Sequence, residues 1–305
     1  MIAVLQPKIL VALTYVLSVI FVQSRGKVRM KLKRQLGDFS TFLAPINAVI
    51  YAFSKIPNTP FFKSEDFPQL QKLTDNWQII RDEGLALIEQ GKVNADRAET
   101  DIGYHSFLRT GWKRFHLKWY NDPLPSAKLS CPKTVELLQS IPGVHGAMFA
   151  LLPSGARLGA HRDPFAGSIR YHLGLRTPNN DNCWIDIDGI RYSWRDGEAV
   201  FFDETYVHHA KNDTDINRLI LFCDVERPMR NRLATAFNHF FINHVMKATS
   251  SQNEEGERPG AVNRAFGPIF KIKTTLKAWK RKNRTVYLSI KYVVILSLLA
   301  LIFLT

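Results

Sequence analysis

Short runs of alternating apolar residues, separated by turn signals, fill residues 147–225 of this 305-residue chain. Alternation with a period of two is typical of β-strands that bury one face. Turn residues lie between the runs, as at Asp188-Gly189 and Asp196-Gly197. Many short, evenly spaced strands favour a jelly-roll-like barrel. The predicted strands are Ile169–Leu175, Cys183–Ile187, Ile190–Trp194, Ala199–Asp203 and Arg218–Val225.

Helical patterns precede this region. The segment Pro68–Gly91 repeats apolar residues on one helical face, and a second helix is expected after Pro132. An aromatic run at Trp112–Tyr120 separates the two helices and is expected to form a strand and a loop. The sequence therefore predicts a mainly β protein with a helical flank at 35–146 and a β core at 147–230.

The formal net charge of +14 is concentrated at the two ends of the chain. Six cations lie between residues 25 and 34 and eight between residues 271 and 291, with no acidic residue among them. The region 35–270 carries 26 basic residues against 27 acidic ones. A nucleic-acid partner is not expected, because a nearly neutral body offers no basic groove.

Each basic block adjoins an apolar stretch, Ile9–Val22 in the first case and Tyr292–Leu304 in the second. With their flanks, both stretches approach the length needed to cross a bilayer core of ~30 Å at ~1.5 Å per residue. Cations beside a span stay on the cytoplasmic side, and both blocks face the body of the chain. The predicted organisation is an anchor at 1–24, a cytosolic domain at 25–247, a linker at 248–270 and a basic segment with a second anchor at 271–305.

Other interpretations of the two ends remain open. Ile9–Val22 could be a signal peptide, although no small-x-small cleavage site follows it. The C-terminal stretch could be a buried helix, or both stretches could lie in the membrane interface. In each membrane case the basic blocks would attract anionic lipid headgroups. Three cysteines without a CxxC pattern suit a reducing cytosol.

A metal-binding pattern lies inside the predicted β core. His161 and Asp163 form a His-x-Asp motif, His208 follows later in the chain, and Arg218 begins a strand. Two imidazoles and a carboxylate on one side of a metal form the facial triad of non-haem Fe(II) oxygenases, which leaves positions for a bidentate co-substrate and O₂. An arginine in that strand could hold a carboxylate of the co-substrate. The same ligand set would also suit a zinc hydrolase, and unconnected surface histidines remain an alternative.

The predicted strand Ile169–Leu175 has one face of apolar side chains and one polar face, formed by Arg170 and His172. Buried polar groups of this kind need partners. If the polar face points to the metal cavity, both side chains could bind carboxylates of the co-substrate.

Several long strings in the chain resemble the aspartyl/asparaginyl β-hydroxylase family, and most closely its bacterial membrane branch of lipid A 2-hydroxylases. The core strings are Gly-Ala-His-Arg-Asp-Pro-Phe at 159–165, Ile-Arg-Tyr-His-Leu-Gly-Leu at 169–175, Asp-Gly-Glu-Ala-Val-Phe-Phe-Asp-Glu-Thr at 196–205, Val-His-His at 207–209 and Asn-Arg-Leu-Ile-Leu-Phe at 217–222. Further strings, such as Phe-Leu-Ala-Pro-Ile-Asn at 42–47 and Thr-Gly-Trp-Lys-Arg-Phe at 110–115, extend the likeness over nearly the whole chain.

The resemblance implies a double-stranded β-helix and an Fe(II)/2-oxoglutarate-dependent dioxygenase that uses O₂. It places the family's metal histidines on His161 and His208, and its 2-oxoglutarate-binding residues on Arg170, His172 and Arg218. Animal members of the family have glycine at the position of Asp163, so this chain keeps a complete triad that they lack.

The bacterial branch implies hydroxylation at the 2-position of a secondary acyl chain of lipid A, at the cytoplasmic face of the inner membrane. The substrate and partners expected are then a lipid A acyl chain and membrane lipids. The aromatic residues Trp112, Phe115, Trp119 and Tyr120 could line an acyl path, or could equally belong to the core. A membrane-bound peptide hydroxylase, a hydroxylase of another lipid and a catalytically silent lipid-binding protein are the alternatives.

Overall fold

The computed structural model describes residues 7–94, 105–108, 110–120 and 122–304. Its centre is formed by antiparallel strands in two sheets that face each other. The strands are β1 (Phe61–Phe62), β2 (Lys113–Trp119), β3 (Asp122–Pro123), β4 (Val144–Leu152), β5 (Arg157–His161), β6 (Ser168–Arg176), β7 (Cys183–Ile187), β8 (Ile190–Ser193), β9 (Ala199–Phe202), β10 (His208–Asn212) and β11 (Arg218–Glu226).

The strand order agrees with the predicted jelly roll. The larger sheet has the order β1-β9-β6-β11-β4-β2-β3, and the smaller sheet has the order β5-β10-β7-β8. From β4 to β11 the chain passes repeatedly between the two sheets, which is the arrangement of a double-stranded β-helix. The mainly β fold class is therefore confirmed, and each predicted strand agrees with an observed strand to within one residue at either end.

Helices cover the outer face of the larger sheet and extend from both ends of the fold. Proline at the first position begins the helix at Pro132, and the predicted helix from Pro68 is interrupted at Asn76. The α-helices are α1 (Pro7–Ser24), α2 (Leu32–Gln35), α3 (Phe39–Phe42), α4 (Ala44–Ala52), α5 (Gln71–Asp75), α6 (Trp77–Glu89), α7 (His105–Leu108), α8 (Pro125–Ser130), α9 (Pro132–Gln139), α10 (Arg232–Phe241), α11 (Ala261–Lys282) and α12 (Arg284–Leu304).

Alternation along β6 and β11 divides the interior into two layers. Tyr171 and Leu173 on β6 belong to the core between the larger sheet and its helices, as does Leu221 on β11. Helix α6 packs closely on this side, because Gly84 has no side chain and a Cβ atom there would lie 3.0 Å from Phe149. The opposite faces of β6 and β11 point between the sheets, where the smaller apolar cluster includes Ile220. The predicted polar face of β6 therefore lines the space between the sheets.

The two ends of the chain differ from their predicted organisation in detail. Within the described residues, α1 is the one helix that is long and apolar enough to cross a membrane. This statement rests on its length and composition only. Residues 1–6 of the predicted first anchor lie outside the described residues. The apolar C-terminal stretch forms α12, but a second membrane span is not shown. Within the predicted linker, the Asn253 side chain bonds both backbone groups of His116, and α11 begins at Ala261.

Candidate metal centre

The two histidines of the predicted triad lie side by side on neighbouring strands of the smaller sheet. β5 ends at His161, β10 begins at His208, and the two residues are register partners. Their ring centroids are 4.1 Å apart although they are distant in the chain. Asp163 lies in the loop after β5, where its backbone N–H donates to the Glu204 carbonyl at 2.9 Å. The fold therefore brings the three predicted ligands together.

The ligand atoms of His161, Asp163 and His208 all lie within 4.8 Å of one another. The His161 Nδ1–H donates to the Gly159 carbonyl at 2.7 Å, and the His208 Nδ1–H donates to the Tyr206 carbonyl at 3.0 Å. Since a carbonyl can only accept, both Nε2 atoms keep their lone pairs for a metal. Within the described residues, no other cluster of histidine, cysteine and acidic side chains comes close enough to hold a metal ion.

The electrostatic surroundings give these side chains the protonation states that a divalent metal requires. Burial, and then the neighbouring His208, lowers the pKa of His161 to about 3, and burial also lowers the pKa of His208. Burial alone would raise the pKa of Asp163, but the Arg170 guanidinium outweighs it and the pKa is lowered. Two neutral imidazoles and an ionised carboxylate are the forms that bind metal without first releasing a proton.

Arg170 on β6 faces this triad from the opposite sheet. Its Nη2 donates to Asp163 Oδ2 at 2.6 Å and also pairs with Glu204. Its Nε lies 3.3 Å from Asp224 Oδ1, and its guanidinium lies over the Phe222 ring at 3.6 Å from the centroid. Arg170 therefore contacts the carboxylate of the candidate metal ligand Asp163 directly, in addition to lining the cavity where the resemblance places 2-oxoglutarate.

Sequence reasoning missed both acidic partners of Arg170 that lie outside the triad. Asp224 follows Arg218, Ile220 and Phe222 at every second residue of β11, so alternation alone would have placed it on the inner face. Glu204 lies in the turn between β9 and β10, where no periodicity applies. Only the pairing of β6 with β9 and β11 brings it beside Arg170.

Arg218 and His172 lie deeper in the same cavity and differ from Arg170 in their surroundings. Arg218 is 2% exposed and stacks over Trp194 at 4.3 Å, and among the described residues no carboxylate pairs with it. Burial lowers its pKa to about 10, so it remains a cation at neutral pH. Neither ring nitrogen of His172 has a hydrogen-bond partner among the described residues. Buried donors without partners indicate a site for an acceptor, and a carboxylate fits both.

The cavity between the sheets has an empty volume of about 550 Å³, part of which is open to solvent. Phe107 of α7 lies against the metal site, with its ring centroid 4.4 Å from that of His161, and Trp112 lines the same space. Phe115, Trp119 and Tyr120 do not line it, because they belong to the core on the far side of the larger sheet. Of the four aromatic candidates for an acyl path, the structure brings Trp112 alone to this cavity and adds Phe107.

Comparison with known proteins assigns the family. A sequence profile described as aspartyl/asparaginyl beta-hydroxylase matches residues 74–228, a range that contains all six predicted site residues. The chain belongs to this family of hydroxylases.

Two relatives are named for different substrates. An ornithine lipid ester-linked acyl 2-hydroxylase of Rhizobium tropici is 32% identical over 196 residues, which cover 63% of this chain and 69% of the relative. The human aspartyl/asparaginyl beta-hydroxylase is 29% identical over 175 residues, 54% of this chain but 22% of that protein. The crystal structure of a Pseudomonas putida prolyl-4-hydroxylase aligns with a TM-score of 0.35 at 19% identity, over 50% of this chain and 87% of that one, which is too remote to add to the assignment.

Proposed function

We propose that this protein is an Fe(II)/2-oxoglutarate-dependent dioxygenase that hydroxylates carbon 2 of an acyl chain of a membrane lipid. The observation that carries the proposal is that one cavity joins the triad of His161, Asp163 and His208 to the unpaired guanidinium of Arg218. The triad is the ligand set of non-haem Fe(II) oxygenases. A zinc hydrolase could use the same ligands, but it has no need of a buried cation for the far carboxylate of a co-substrate.

When bound, Fe(II), 2-oxoglutarate and O₂ supply the oxidising power: one oxygen atom becomes the hydroxyl group of the product, the other enters succinate, and CO₂ is released. His161 and His208 present their Nε2 lone pairs to the metal, and Arg170 keeps Asp163 ionised. Arg218 would hold the distal carboxylate of 2-oxoglutarate through its planar guanidinium. His172 would donate a hydrogen bond to the same co-substrate, and Arg170 lines the same cavity.

The apolar part of the cavity has a separate role. Phe107 and Trp112, together with Leu158, form a surface beside His161 that suits an acyl chain. These side chains exclude water from the reacting C–H bond and aim that bond at the metal. A hydrocarbon chain needs no polar partner here, which fits a lipid better than a peptide.

The first candidate substrate is a secondary acyl chain of lipid A, as the resemblance to the bacterial branch implies. An ornithine lipid is the second candidate, because the Rhizobium tropici relative is named for that substrate. Both are acylated membrane lipids, and carbon 2 of an acyl chain lies next to the ester carbonyl, at the polar end of that chain. We therefore place the cavity close to the membrane surface.

The proposed location is the cytoplasmic face of a bacterial inner membrane, with α1 and α12 as two transmembrane helices. The basic blocks at 25–34 and 271–291 support this topology, because cations next to a span remain on the cytoplasmic side. A reporter fused after Thr305 should then report the non-cytosolic side. A cytosolic signal would overturn the two-span topology without affecting the chemistry.

Mass spectrometry of lipid extracts tests the function. Cells that produce the protein should contain lipid A with one additional oxygen atom on an acyl chain, and cells that produce Asp163→Ala should not. The added oxygen on ornithine lipid instead would select the second substrate, and its presence on a peptide would indicate a peptide hydroxylase. Purified protein that forms no succinate from 2-oxoglutarate with any of these substrates would contradict the proposed activity and favour the catalytically silent alternative.

A further inference from the structure

Arg25, the first cation of the N-terminal basic block, is built into the folded domain. Its side chain is 8% exposed, its Nη2 donates to Asp203 Oδ2 at 3.0 Å, and its Nη1 donates to Thr205 Oγ1 at 2.9 Å. The guanidinium lies between the rings of Tyr51, 3.6 Å from the centroid, and Tyr206, 4.5 Å from the centroid. A flanking residue that only marked membrane topology would stay hydrated.

The partners of Arg25 belong to the turn Asp203–Tyr206, which supports two of the three candidate metal ligands. The Tyr206 carbonyl accepts the His208 Nδ1–H at 3.0 Å, and the Glu204 carbonyl accepts the Asp163 backbone N–H at 2.9 Å. Asp203 fixes the turn from within, because its Oδ1 accepts the Thr205 backbone N–H at 3.0 Å. Its other oxygen, Oδ2, accepts from Arg25 and also from Arg227, at 2.8 Å.

The residues around Arg25 contact the structures that flank the ligands. Gln23 Oε1 accepts from the Nη1 of Arg162, the residue between His161 and Asp163, at 2.9 Å. The Lys27 and Val28 backbone N–H groups donate to Asp188 Oδ1 at 2.6 and 2.8 Å. The Asp188 backbone N–H in turn donates to the carbonyl of Val207, the neighbour of His208, at 2.9 Å.

Gly26 allows this close approach. Its φ is +77°, and a Cβ atom there would lie 2.5 Å from Asp188 Oδ1 and 2.8 Å from the Tyr206 ring. A side chain would have to displace the segment from the domain. The segment Val22–Val28 therefore has a fixed position at the point where the candidate membrane helix α1 ends.

We infer that the segment Val22–Val28 is a structural part of the metal site and that Arg25 is a positioning residue for the ligands His208 and Asp163. The inference rests on the proposed metal site. It implies that the ligand geometry is complete only when the end of α1 is seated on the domain, so that attachment to the membrane helix and metal binding are coupled.

Metal affinity of the full-length protein in detergent micelles tests the inference, with Co(II) as the probe. Arg25→Lys keeps the charge but loses the pair of guanidinium donors that bond Asp203 and Thr205. Arg25→Gln loses both the charge and this pair of donors. We expect Co(II) to bind about ten- to a hundredfold more weakly to Arg25→Gln, the range found when groups that orient metal ligands are removed, with an altered visible absorption spectrum. Arg25→Lys should lie between this variant and the unmodified protein.

The matched control is Lys33→Gln, which removes the same charge from the same basic block but outside the segment Val22–Val28, where the side chain is exposed. It should leave both the Co(II) affinity and the spectrum unchanged. If Arg25→Gln does not fold, Arg25→Lys carries the test together with hydrogen exchange of the Thr205 and Tyr206 amides in the metal-free protein, which should become faster.

The outcomes separate this inference from the proposed function. If the unmodified protein binds no Co(II), the proposed metal site is wrong, and the inference that rests on it is wrong as well. An unmodified protein that binds Co(II), together with unchanged affinity, spectrum and amide exchange in Arg25→Lys, would overturn the positioning role of Arg25 and leave the metal site intact. A lower thermal midpoint with unchanged Co(II) affinity would also overturn it, since it would show a structural role only.

Discussion

The two walls of the cavity carry opposite chemistry. The smaller sheet and its loop offer lone pairs and one negative charge, through His161, Asp163 and His208. The larger sheet offers N–H donors and positive charge, through Arg170, His172 and Arg218. The first set suits a metal cation, and the second suits the carboxylates of a co-substrate. The comparison shows how a small barrel can hold two charged ligands beside an apolar path, because each sheet supplies one kind of partner.

The largest effect is expected from removing one of the candidate metal ligands on the smaller sheet and its loop. Asp163→Ala or His208→Ala should abolish detectable hydroxylation and metal binding, because each change removes one of the three ligands, and loss of Asp163 also leaves the Arg170 guanidinium facing the cation. Succinate formation from 2-oxoglutarate and Co(II) titration measure the two losses. His244→Ala, at an exposed histidine just after α10 whose Nδ1 bonds the Phe240 carbonyl, is the control and should retain both properties. Hydroxylation that survives in Asp163→Ala would show that the carboxylate is not a ligand.

Replacing Arg218 on the larger sheet should affect the binding of 2-oxoglutarate but not the binding of metal. Arg218→Met should raise the KM for 2-oxoglutarate by about thirtyfold or more, since losing one partner of a buried charge pair costs at least ~2 kcal/mol. The affinity for Co(II) should stay the same, because Arg218 does not contact the triad. Arg195→Met, at an arginine that is 31% exposed and paired with Asp181, should change neither value. A loss of metal binding in Arg218→Met would contradict the division between the walls.

Arg170 lies on the larger sheet but contacts Asp163, a candidate metal ligand on the opposite side of the cavity. Arg170→Met should weaken Co(II) binding about tenfold through its contact with Asp163, and should also raise the KM for 2-oxoglutarate. Parallel titrations with metal and co-substrate measure both effects in one preparation. If only the KM changes, Arg170 serves the co-substrate alone; if only metal binding changes, the co-substrate role implied by the resemblance is wrong.

The last predicted effect is on stability rather than on binding, and it concerns the turn Asp203–Tyr206 that supports the candidate metal ligands. Burial alone would raise the pKa of Asp203, but Arg227, Arg25 and the hydrogen bonds from Thr205 lower it to about 2. A depressed carboxyl pKa stabilises the fold above its unfolded value of about 4 and loses this contribution as the pH falls to about 2. Asp203→Asn should therefore lose about 2 kcal/mol of unfolding free energy near neutral pH, and the difference from the unmodified protein should shrink below pH ~4.

Denaturant unfolding in detergent across this pH range measures the Asp203 contribution. Asp213→Asn, at an exposed carboxylate paired with Lys211, is the control and should change stability by less than ~0.5 kcal/mol. A difference that stays constant down to pH ~2 would show that the carboxylate charge is not the source of the stability.

Periodicity predicted much of the barrel, because strands that bury one face alternate visibly. It placed Arg170 and His172 on the inner face of β6, where the structure has them. It gave no boundary for β4, Val144–Leu152, since this strand is buried along its whole length and shows no alternation. The edge strands β1 and β3 are two residues each, too short for any period to be read.

The parts of the site that sequence could not predict depend on contacts between distant segments. Phe107 comes to the metal site through α7, and Glu204 comes to Arg170 through a turn. Arg25 shows the same limit most clearly. Its place in a basic block beside an apolar stretch indicates a membrane flank, yet its position is set by Asp203, a partner 178 residues further along the chain. Charge pattern alone does not distinguish a hydrated cation from a buried one.

The stoichiometry of the reaction with labelled oxygen tests whether the protein is a 2-oxoglutarate-dependent acyl hydroxylase. Purified full-length protein with Fe(II), 2-oxoglutarate and membrane lipid is supplied with ¹⁸O₂, and succinate and hydroxylated lipid are quantified by mass spectrometry. We expect equal amounts of succinate and product, with ¹⁸O in the new hydroxyl group at carbon 2 of the acyl chain. Hydroxylated lipid that carries oxygen from water, or forms without 2-oxoglutarate, would contradict it.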